Sequence, residues 1–82
     1  NHAEAYYYLG NILVKLNKPD KAEKAYLNAI KIKPDYSICF NNLGVIYWGK
    51  GMFEESEKNY KRAIAIDFNN LDAYCNLGVT LQ

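Results

Sequence analysis

A Leu-Gly pair recurs every 34 residues along this chain, and few sequence features restrict a fold as strongly. The three pairs are Leu9-Gly10, Leu43-Gly44 and Leu77-Gly78. An aromatic residue also stands four positions before each glycine, at Tyr6, Phe40 and Tyr74. A period of this length is typical of helix pairs that stack side by side. The sequence therefore predicts an all-α fold, an α-solenoid of antiparallel helix pairs.

Apolar residues at three- and four-residue steps predict five helices. These helices cover residues 2–16, 19–32, 36–49, 53–66 and 70–82. Pro19 suits the first turn of the second helix, and Pro34 ends that helix. The Asp35 side chain is expected to accept hydrogen bonds from free amides at the start of the third helix. Glycine in the stretch 49–51 is expected to allow a positive φ where the third helix ends.

Small residues predict that the two helices of each pair lie close together. Gly10 is expected to face Ala22 and Ala29, so that the two backbones approach closely. Gly44, Ser56 and Ala63 occupy the same phases in the second pair. Tyr26 and Tyr60 are large rings at the position predicted to meet the following pair. On the outer face of the fourth helix, the expected i,i+4 ion pairs are Glu54–Lys58 and Glu57–Lys61.

Charge and composition exclude several function classes. The formal net charge is +1, which provides no electrostatic basis for binding nucleic acid or an anionic membrane surface. No apolar run approaches the roughly 20 residues that span a bilayer. Cys39 and Cys75 lack metal-ligand or redox spacing, which favours reduced thiols and an intracellular, cytoplasmic location. His2 is the only histidine, so the sequence predicts no enzyme, no cofactor and no metal site in this segment.

The repeating pattern resembles the tetratricopeptide repeat, a helix–turn–helix unit, over essentially the whole chain. The first repeat matches at Tyr6, Leu9, Gly10, Leu13, Ala22, Tyr26, Ala29 and Pro34. The second matches at Phe40, Leu43, Gly44, Tyr47, Gly51, Tyr60 and Ala63, and departs at Ser56 and Phe68. The resemblance implies about two and a half repeats in a single segment, 1–82. They are repeat 1 (3–36), repeat 2 (37–70) and the first helix of a third (71–82).

The segment 70–82 is expected to leave an apolar face without its usual partner helix. We therefore expect a fragment of a longer array that either is marginally stable or associates end to end through this helix.

Membership of this family would imply a concave groove lined by the first helix of each pair. The candidate peptide-binding residues are Tyr8, Asn11, Asn42, Val45, Trp48, Asp72, Asn76 and Val79. An asparagine side chain carries donors and an acceptor, so it can bond an extended peptide backbone without reading its sequence. Tyr8 and Trp48 are candidates for contact with apolar side chains. For Asn42 and Asn76, the alternative is a structural position, either solvated or bonded to a neighbouring repeat.

Chaperone-binding members of the family hold a peptide's C-terminal carboxylate with a clamp of lysine, asparagine and arginine side chains. By register, the asparagine positions of that clamp fall on Asn11 and Asn42. Its basic positions fall on Tyr7, Asp72 and Asn76, which are not basic. Asp72 would repel the carboxylate, so this clamp is not expected here.

Short strings around Asn42 and Asn76 are similar to the repeats of O-linked N-acetylglucosamine transferases and their SPINDLY-type relatives. In those proteins, groove asparagines hold substrate backbones while a separate domain transfers the sugar. The leading hypothesis is a protein–protein interaction scaffold that binds an extended peptide or a partner helix in the groove. The alternatives are a substrate-recruiting segment of such a transferase and a purely structural repeat segment. RNA binding is disfavoured by the absence of a basic groove.

Overall fold

The computed structural model describes residues 2–67 together with residues 75, 77 and 78. Within this part of the chain the helices are α1 (His2–Lys15), α2 (Pro19–Ile32), α3 (Ser37–Gly49) and α4 (Phe53–Ile66). The predicted boundaries of these four helices therefore hold to within one residue. The predicted fifth helix, 70–82, lies largely outside the described residues, although 75, 77 and 78 are helical. No helix in the described part is long and apolar enough to cross a membrane.

The helices pack as two pairs that meet mainly through α2 and α3. Helix α1 packs against α2, α3 packs against α4, and α2 packs against α3. Short connections between consecutive helices make each pair antiparallel. The core lies between α2 and α3, and its buried members are Ala22, Tyr26, Ala29, Cys39, Leu43 and Ile46. The all-α architecture of stacked helix pairs is confirmed.

The first pair turns through a Schellman motif at the end of α1. The N–H of Lys18 donates to the C=O of Leu13 at 2.9 Å, and the N–H of Asn17 donates to the C=O of Val14 at 3.0 Å. Asn17 has a φ of 59°, in the left-handed region that asparagine tolerates better than most residues. The two hydrogen bonds satisfy carbonyls that would otherwise lack partners where the helix ends.

The second pair repeats this motif 34 residues later. The N–H of Met52 donates to the C=O of Tyr47 at 2.8 Å, and the N–H of Gly51 donates to the C=O of Trp48 at 3.1 Å. Gly51 has a φ of 78°, which confirms the positive φ expected of glycine in this stretch. Gly51 and Asn17 thus adopt the same left-handed backbone conformation at equivalent turns of the two repeats.

Gly10 and Gly44 make room for tyrosine rings, a role that the pattern of small residues did not predict. A Cβ atom placed on Gly10 would lie 2.5 Å from Cε1 of Tyr26, and one on Gly44 would overlap the Tyr60 ring in the same way. Both rings are buried. Each ring fills the space that the missing side chain leaves, so the helices meet through glycine and tyrosine.

The predicted side-chain cap at Asp35 is wrong. The N-cap residue of α3 is Tyr36, and no side chain bonds the free amides there. The backbone C=O of Asp35 instead accepts a hydrogen bond from the N–H of Ser37 at 2.9 Å. The helix begins one residue later than predicted, which leaves Asp35 outside the capping position.

One of the two ion pairs predicted on α4 is confirmed. Lys61 Nζ lies 2.7 Å from Glu57 Oε1 in the expected i,i+4 arrangement. Lys58 Nζ instead lies 3.6 Å from Glu55 Oε1, in an i,i+3 arrangement, and does not pair with Glu54. Residues three and four apart are both neighbours on a helix surface, so Lys58 had two carboxylates within reach.

Candidate peptide-binding groove

A cavity of about 340 Å³ opens where α1 and α3 lie side by side, with a side chain of α2 between them. Its lining residues are Asn11, Val14, Lys15, Tyr26, Asn42, Val45 and Ile46; we call it the groove cavity. The helices that form it are the first helices of the two repeats. Three of the predicted site residues, Asn11, Asn42 and Val45, meet there.

A hydrogen-bonded triangle forms the polar floor of the groove cavity. The Tyr26 hydroxyl donates to Asn11 Oδ1 at 2.5 Å. Asn42 Nδ2 donates to Asn11 Oδ1 and to the Tyr26 hydroxyl oxygen, each at 3.3 Å. Asn42 Oδ1 in turn accepts a hydrogen bond from Asn41 Nδ2 at 3.5 Å. The Asn42 amide is therefore used on both sides within the protein.

The triangle leaves one amide group available to a ligand. Asn11 uses only its oxygen as an acceptor, and its Nδ2 group makes no hydrogen bond within residues 2–67. The Tyr26 hydroxyl sets the orientation of the Asn11 amide. Its oxygen accepts a hydrogen bond from Asn42, so its proton is donated to the Asn11 oxygen. The floor thus offers a fixed donor to an incoming carbonyl or carboxylate oxygen.

Burial keeps the Tyr26 hydroxyl protonated. It raises the pKa of Tyr26 to about 12, although the hydrogen bond with Asn42 acts in the opposite direction. The phenol therefore remains a donor to Asn11 throughout the neutral pH range. The Tyr26 ring is only 1% exposed, so it holds the floor from below.

The walls of the groove cavity are apolar and carry one charge. Val14 and Val45 are 45% and 47% exposed, so their side chains remain available to a ligand. Among the described lining residues Lys15 alone is charged, and it stands at the C-terminal end of α1. The site therefore combines an amide donor, an apolar surface and a cation, and it has no carboxylate.

The other predicted site residues do not line the groove cavity. The exposed Tyr8 ring lies against Tyr7, with the ring centroids 5.2 Å apart. The exposed Trp48 ring meets Phe53 edge to face, with the centroids 6.1 Å apart. The remaining three predicted residues lie outside the described part of the chain: Asp72, Asn76 and Val79.

Sequence reasoning also predicted Val14 and Lys15 at groove positions of the first helix, but it missed Tyr26 and Ile46 as members of the site. Tyr26 had been assigned to packing between pairs, which the structure confirms, since it belongs to the core cluster. The signal that could have found its second role is chemical, because a buried tyrosine hydroxyl usually needs a hydrogen-bond partner. Asn11, fifteen residues away, supplies that partner.

The described residues contain no candidate metal site and no reactive buried cysteine. No three His, Cys, Asp or Glu side chains within them come together in a way that would hold a metal ion. Burial raises the pKa of the Cys39 thiol to about 12, so this cysteine is not a nucleophile at neutral pH.

Comparison with known proteins identifies the family. The tetratricopeptide repeat model matches residues 3–36 and 37–70. These matches cover most of the chain, which therefore belongs to the tetratricopeptide repeat family.

Two curated relatives are large enzymes. The chain is 31% identical over 80 residues to the human protein O-mannosyl-transferase TMTC3, across 96% of this chain and 9% of that protein. It is 33% identical over 73 residues to the UDP-N-acetylglucosamine--peptide N-acetylglucosaminyltransferase of Giardia intestinalis, across 89% of this chain and 5% of that protein. The chain thus spans less than a tenth of the length of either relative.

Two solved structures share the fold over nearly the whole chain. The second TPR of Spaghetti (RPAP3), bound to the HSP90 peptide SRMEEVD, superposes with a TM-score of 0.94 and 23% identity, over 99% of this chain and 75% of that one. The MamA protein superposes with a TM-score of 0.90 and 28% identity, over 95% and 43%. The chain is a non-catalytic repeat region, as predicted, and its family supports a role in protein interaction.

Proposed function

We propose that the groove cavity binds an extended peptide segment of a partner protein. The observation that carries this proposal is the fixed amide of Asn11, which is held by Tyr26 and Asn42 with its Nδ2 group left over. A peptide carbonyl placed above this group would accept a hydrogen bond whatever the side chain beside it. Because the donor is already oriented, the ligand does not have to order it on binding.

An apolar side chain of the same peptide would lie between Val14 and Val45. Full burial of a side chain such as leucine contributes about 1.5–3 kcal/mol. A volume of about 340 Å³ is at the small end of ligand pockets. The preferred ligand is therefore a short extended stretch with one apolar side chain, held mainly through its backbone.

A relative of the same fold supports a peptide as the ligand. The second TPR of Spaghetti is bound to a peptide of HSP90. In our chain the Tyr7 ring lies 5.6 Å from the Tyr36 ring and 5.2 Å from the Tyr8 ring, where the carboxylate clamp would need a basic side chain. We therefore propose an internal stretch of a partner as the ligand, in preference to its C-terminal carboxylate.

A second candidate function is recruitment of substrates for an attached transferase. The 33% identity to the Giardia N-acetylglucosaminyltransferase favours it, since groove asparagines would hold the substrate backbone in either case. A glycosyltransferase domain in the same gene product would support this candidate. Without one, the chain would serve as an interaction scaffold alone.

The expectations about nucleic acid, membranes, cytoplasmic location and end-to-end association through 70–82 stay predictions. A purely structural repeat segment also remains a hypothesis, and the groove experiment separates it from peptide binding.

Titration of the isotope-labelled chain with pooled extended peptides tests the proposal. We expect amide shifts at Asn11, Asn42 and Val45. Asn11→Ala removes the proposed hydrogen bond to the ligand, worth about 0.5–1.5 kcal/mol, so it should weaken binding by roughly two- to tenfold. Asn28→Ala is the matched control, because Asn28 is an exposed asparagine on α2 that does not line the cavity. Shifts confined to the outer faces of α2 and α4 would overturn the proposal.

A further inference from the structure

The turn that joins α3 to α4 carries a second surface that the groove does not use. Three large apolar side chains are exposed there: Trp48 at 44%, Met52 at 45% and Phe53 at 53%. Met52 and Phe53 also border a shallow depression of about 470 Å³, together with Gly51, Glu54 and Glu55. We call Trp48, Met52, Phe53, Glu54 and Glu55 the turn patch.

The fold does not require the apolar side chains of Met52 and Phe53. The positions equivalent to Met52 and Phe53 in the first repeat are Lys18 and Pro19. Both turns nonetheless close through the same pair of backbone hydrogen bonds. A lysine and a proline therefore suffice to build this turn, and proline is well suited to the first helical position.

The rim of the turn patch is acidic. Glu54 makes no ion pair with any described residue, and Glu55 lies 3.6 Å from its one cationic partner, Lys58. Lys50, the lysine between Trp48 and Met52, is already bound to Asp20 at 2.6 Å and Glu23 at 2.9 Å. Carboxylates in a first turn also favour the helix, but that effect does not account for the apolar residues beside them.

We infer that the turn patch docks a protein segment in which an apolar side chain is flanked by lysine or arginine. The apolar side chain packs on the Trp48 and Phe53 rings, and the flanking cations lie over Glu54 and Glu55. Aromatic anchors typically dominate the energy of such contacts, while charges at the rim select the partner. This surface shares no residue with the lining of the groove cavity, and the inference does not rest on the proposed function.

The acidic rim decides between occupants. An anionic membrane would be repelled by Glu54 and Glu55, whereas a basic segment is attracted to them. The chain itself contains a segment of the required kind, since Ile32 is 52% exposed and lies between Lys31 and Lys33. A second copy is therefore an occupant that the experiment must separate.

Trp48 is the only tryptophan in the chain, so its fluorescence reports on the turn patch directly. The probe is a short capped peptide of alternating lysine and leucine, and the control peptide has glutamate in place of lysine. We expect a saturable change in Trp48 emission with the lysine peptide, weakened by salt, and no change with the glutamate peptide. An equal response to both peptides, or no response, would overturn the inference.

Substitutions in the turn patch test whether the peptide binds there. Met52→Lys should weaken binding of the lysine peptide, measured by calorimetry, by about tenfold. Leu27→Lys is the matched control, because it places the same charge at an exposed leucine on α2 and should leave the affinity unchanged. Glu54→Gln should also weaken binding, and it decides the matter if Met52→Lys fails to fold. Equal affinities in all three variants would contradict the inference.

Two further measurements test the other occupants. A concentration-dependent shift of Trp48 emission without peptide, matched by a dimer in sedimentation, would assign the patch to a second copy. A shift with phosphatidylserine vesicles would assign it to a lipid surface. Either result overturns the inference, and a monomer that ignores vesicles but binds the lysine peptide supports it.

Discussion

Leu9 and Leu43 hold the same position in the two repeats, yet their surroundings differ. Leu43 is 1% exposed and Leu9 is 45% exposed. The next apolar position shows the same contrast, since Ile46 is 7% exposed and Ile12 is 55% exposed. Helix α3 packs against both α2 and α4, whereas α1 packs closely on α2. In a stacked-repeat protein, burial is therefore decided by the neighbouring pair as well as by the residue type.

In the reverse case, equivalent positions of the two repeats hold different residues but are equally buried. Ala22 and its equivalent Ser56 are both fully buried. The Ser56 hydroxyl donates to the C=O of Gly44 at 2.7 Å, so the polar group is satisfied without water. Two residue types thus occupy the same environment because the serine finds a partner within its own pair.

The largest effect should come from truncating the two leucines. Leu43→Ala should lower the free energy of unfolding by about 2–5 kcal/mol, because it leaves a cavity in the core. Leu9→Ala should change it by no more than about 0.5 kcal/mol, as expected of a surface position. Urea denaturation of both variants measures the difference. Equal losses would show that α1 is covered as fully as α3.

Adding a side chain at Gly44 should have the next largest effect on stability. Gly44→Ala forces a Cβ atom into the Tyr60 ring and should cost about 1–3 kcal/mol through overpacking. Gly49→Ala is the control, because a Cβ atom there meets nothing within 4 Å. Alanine favours the helix over glycine by up to about 1 kcal/mol, so this control should be stabilised. A loss of stability in both variants would argue against the packing explanation.

The turns provide a smaller test of the comparison between repeats. Gly51→Ala places a side chain at a φ of 78° and should cost about 1–2 kcal/mol. Asn17→Gly relieves the same conformation in the first repeat and should stabilise the chain by a few tenths of a kcal/mol. Thermal melts of the two variants should therefore shift in opposite directions. Shifts of the same sign would contradict the shared turn motif.

The smallest effect is expected from the ion pairs that join the repeats. Lys50 in the second repeat binds Asp20 and Glu23 in the first. The hydrogen bond from Lys50, together with its charge, lowers the pKa of Asp20. A depressed carboxyl pKa stabilises the fold above the unfolded pKa of about 3.9, and this stabilisation is lost as the pH falls through the folded pKa.

Lys50→Met should therefore reduce the loss of stability that follows acidification below about pH 4. The difference between wild type and variant should also shrink in high salt, because Asp20 is exposed. Acid titration of the unfolding free energy at two salt concentrations measures both effects. If the variant lost as much unfolding free energy on acidification as the wild type, the pairing would not stabilise the fold.

Much of the fold was predictable from local signals. The helix boundaries followed from apolar spacing together with Pro19 and Pro34, because these residues act on their own backbone. Gly51 was expected to adopt a positive φ for the same reason, since glycine has no Cβ. Asn11, Asn42 and Val45 were placed together because the period puts them on equivalent faces of successive first helices.

The rest depended on atoms far apart in the sequence. The Tyr26 hydroxyl forms the groove floor because Asn11 and Asn42 lie 15 and 16 residues away on either side of it. Helix spacing allows Lys58 to pair with either Glu54 or Glu55. The side-chain geometry of the folded chain places it beside Glu55.

The sequence by itself determined that this chain forms paired helices with a repeat of 34 residues, because periodic apolar side chains and turn residues act locally. Only the tertiary structure decided that Leu43 is buried while Leu9 is exposed. It also decided that the Asn11 side chain bonds through its oxygen alone, with no partner for Nδ2 within residues 2–67. Burial and hydrogen-bond partners are properties of the assembled neighbours, so identical positions in a repeat acquire different roles once the pairs stack.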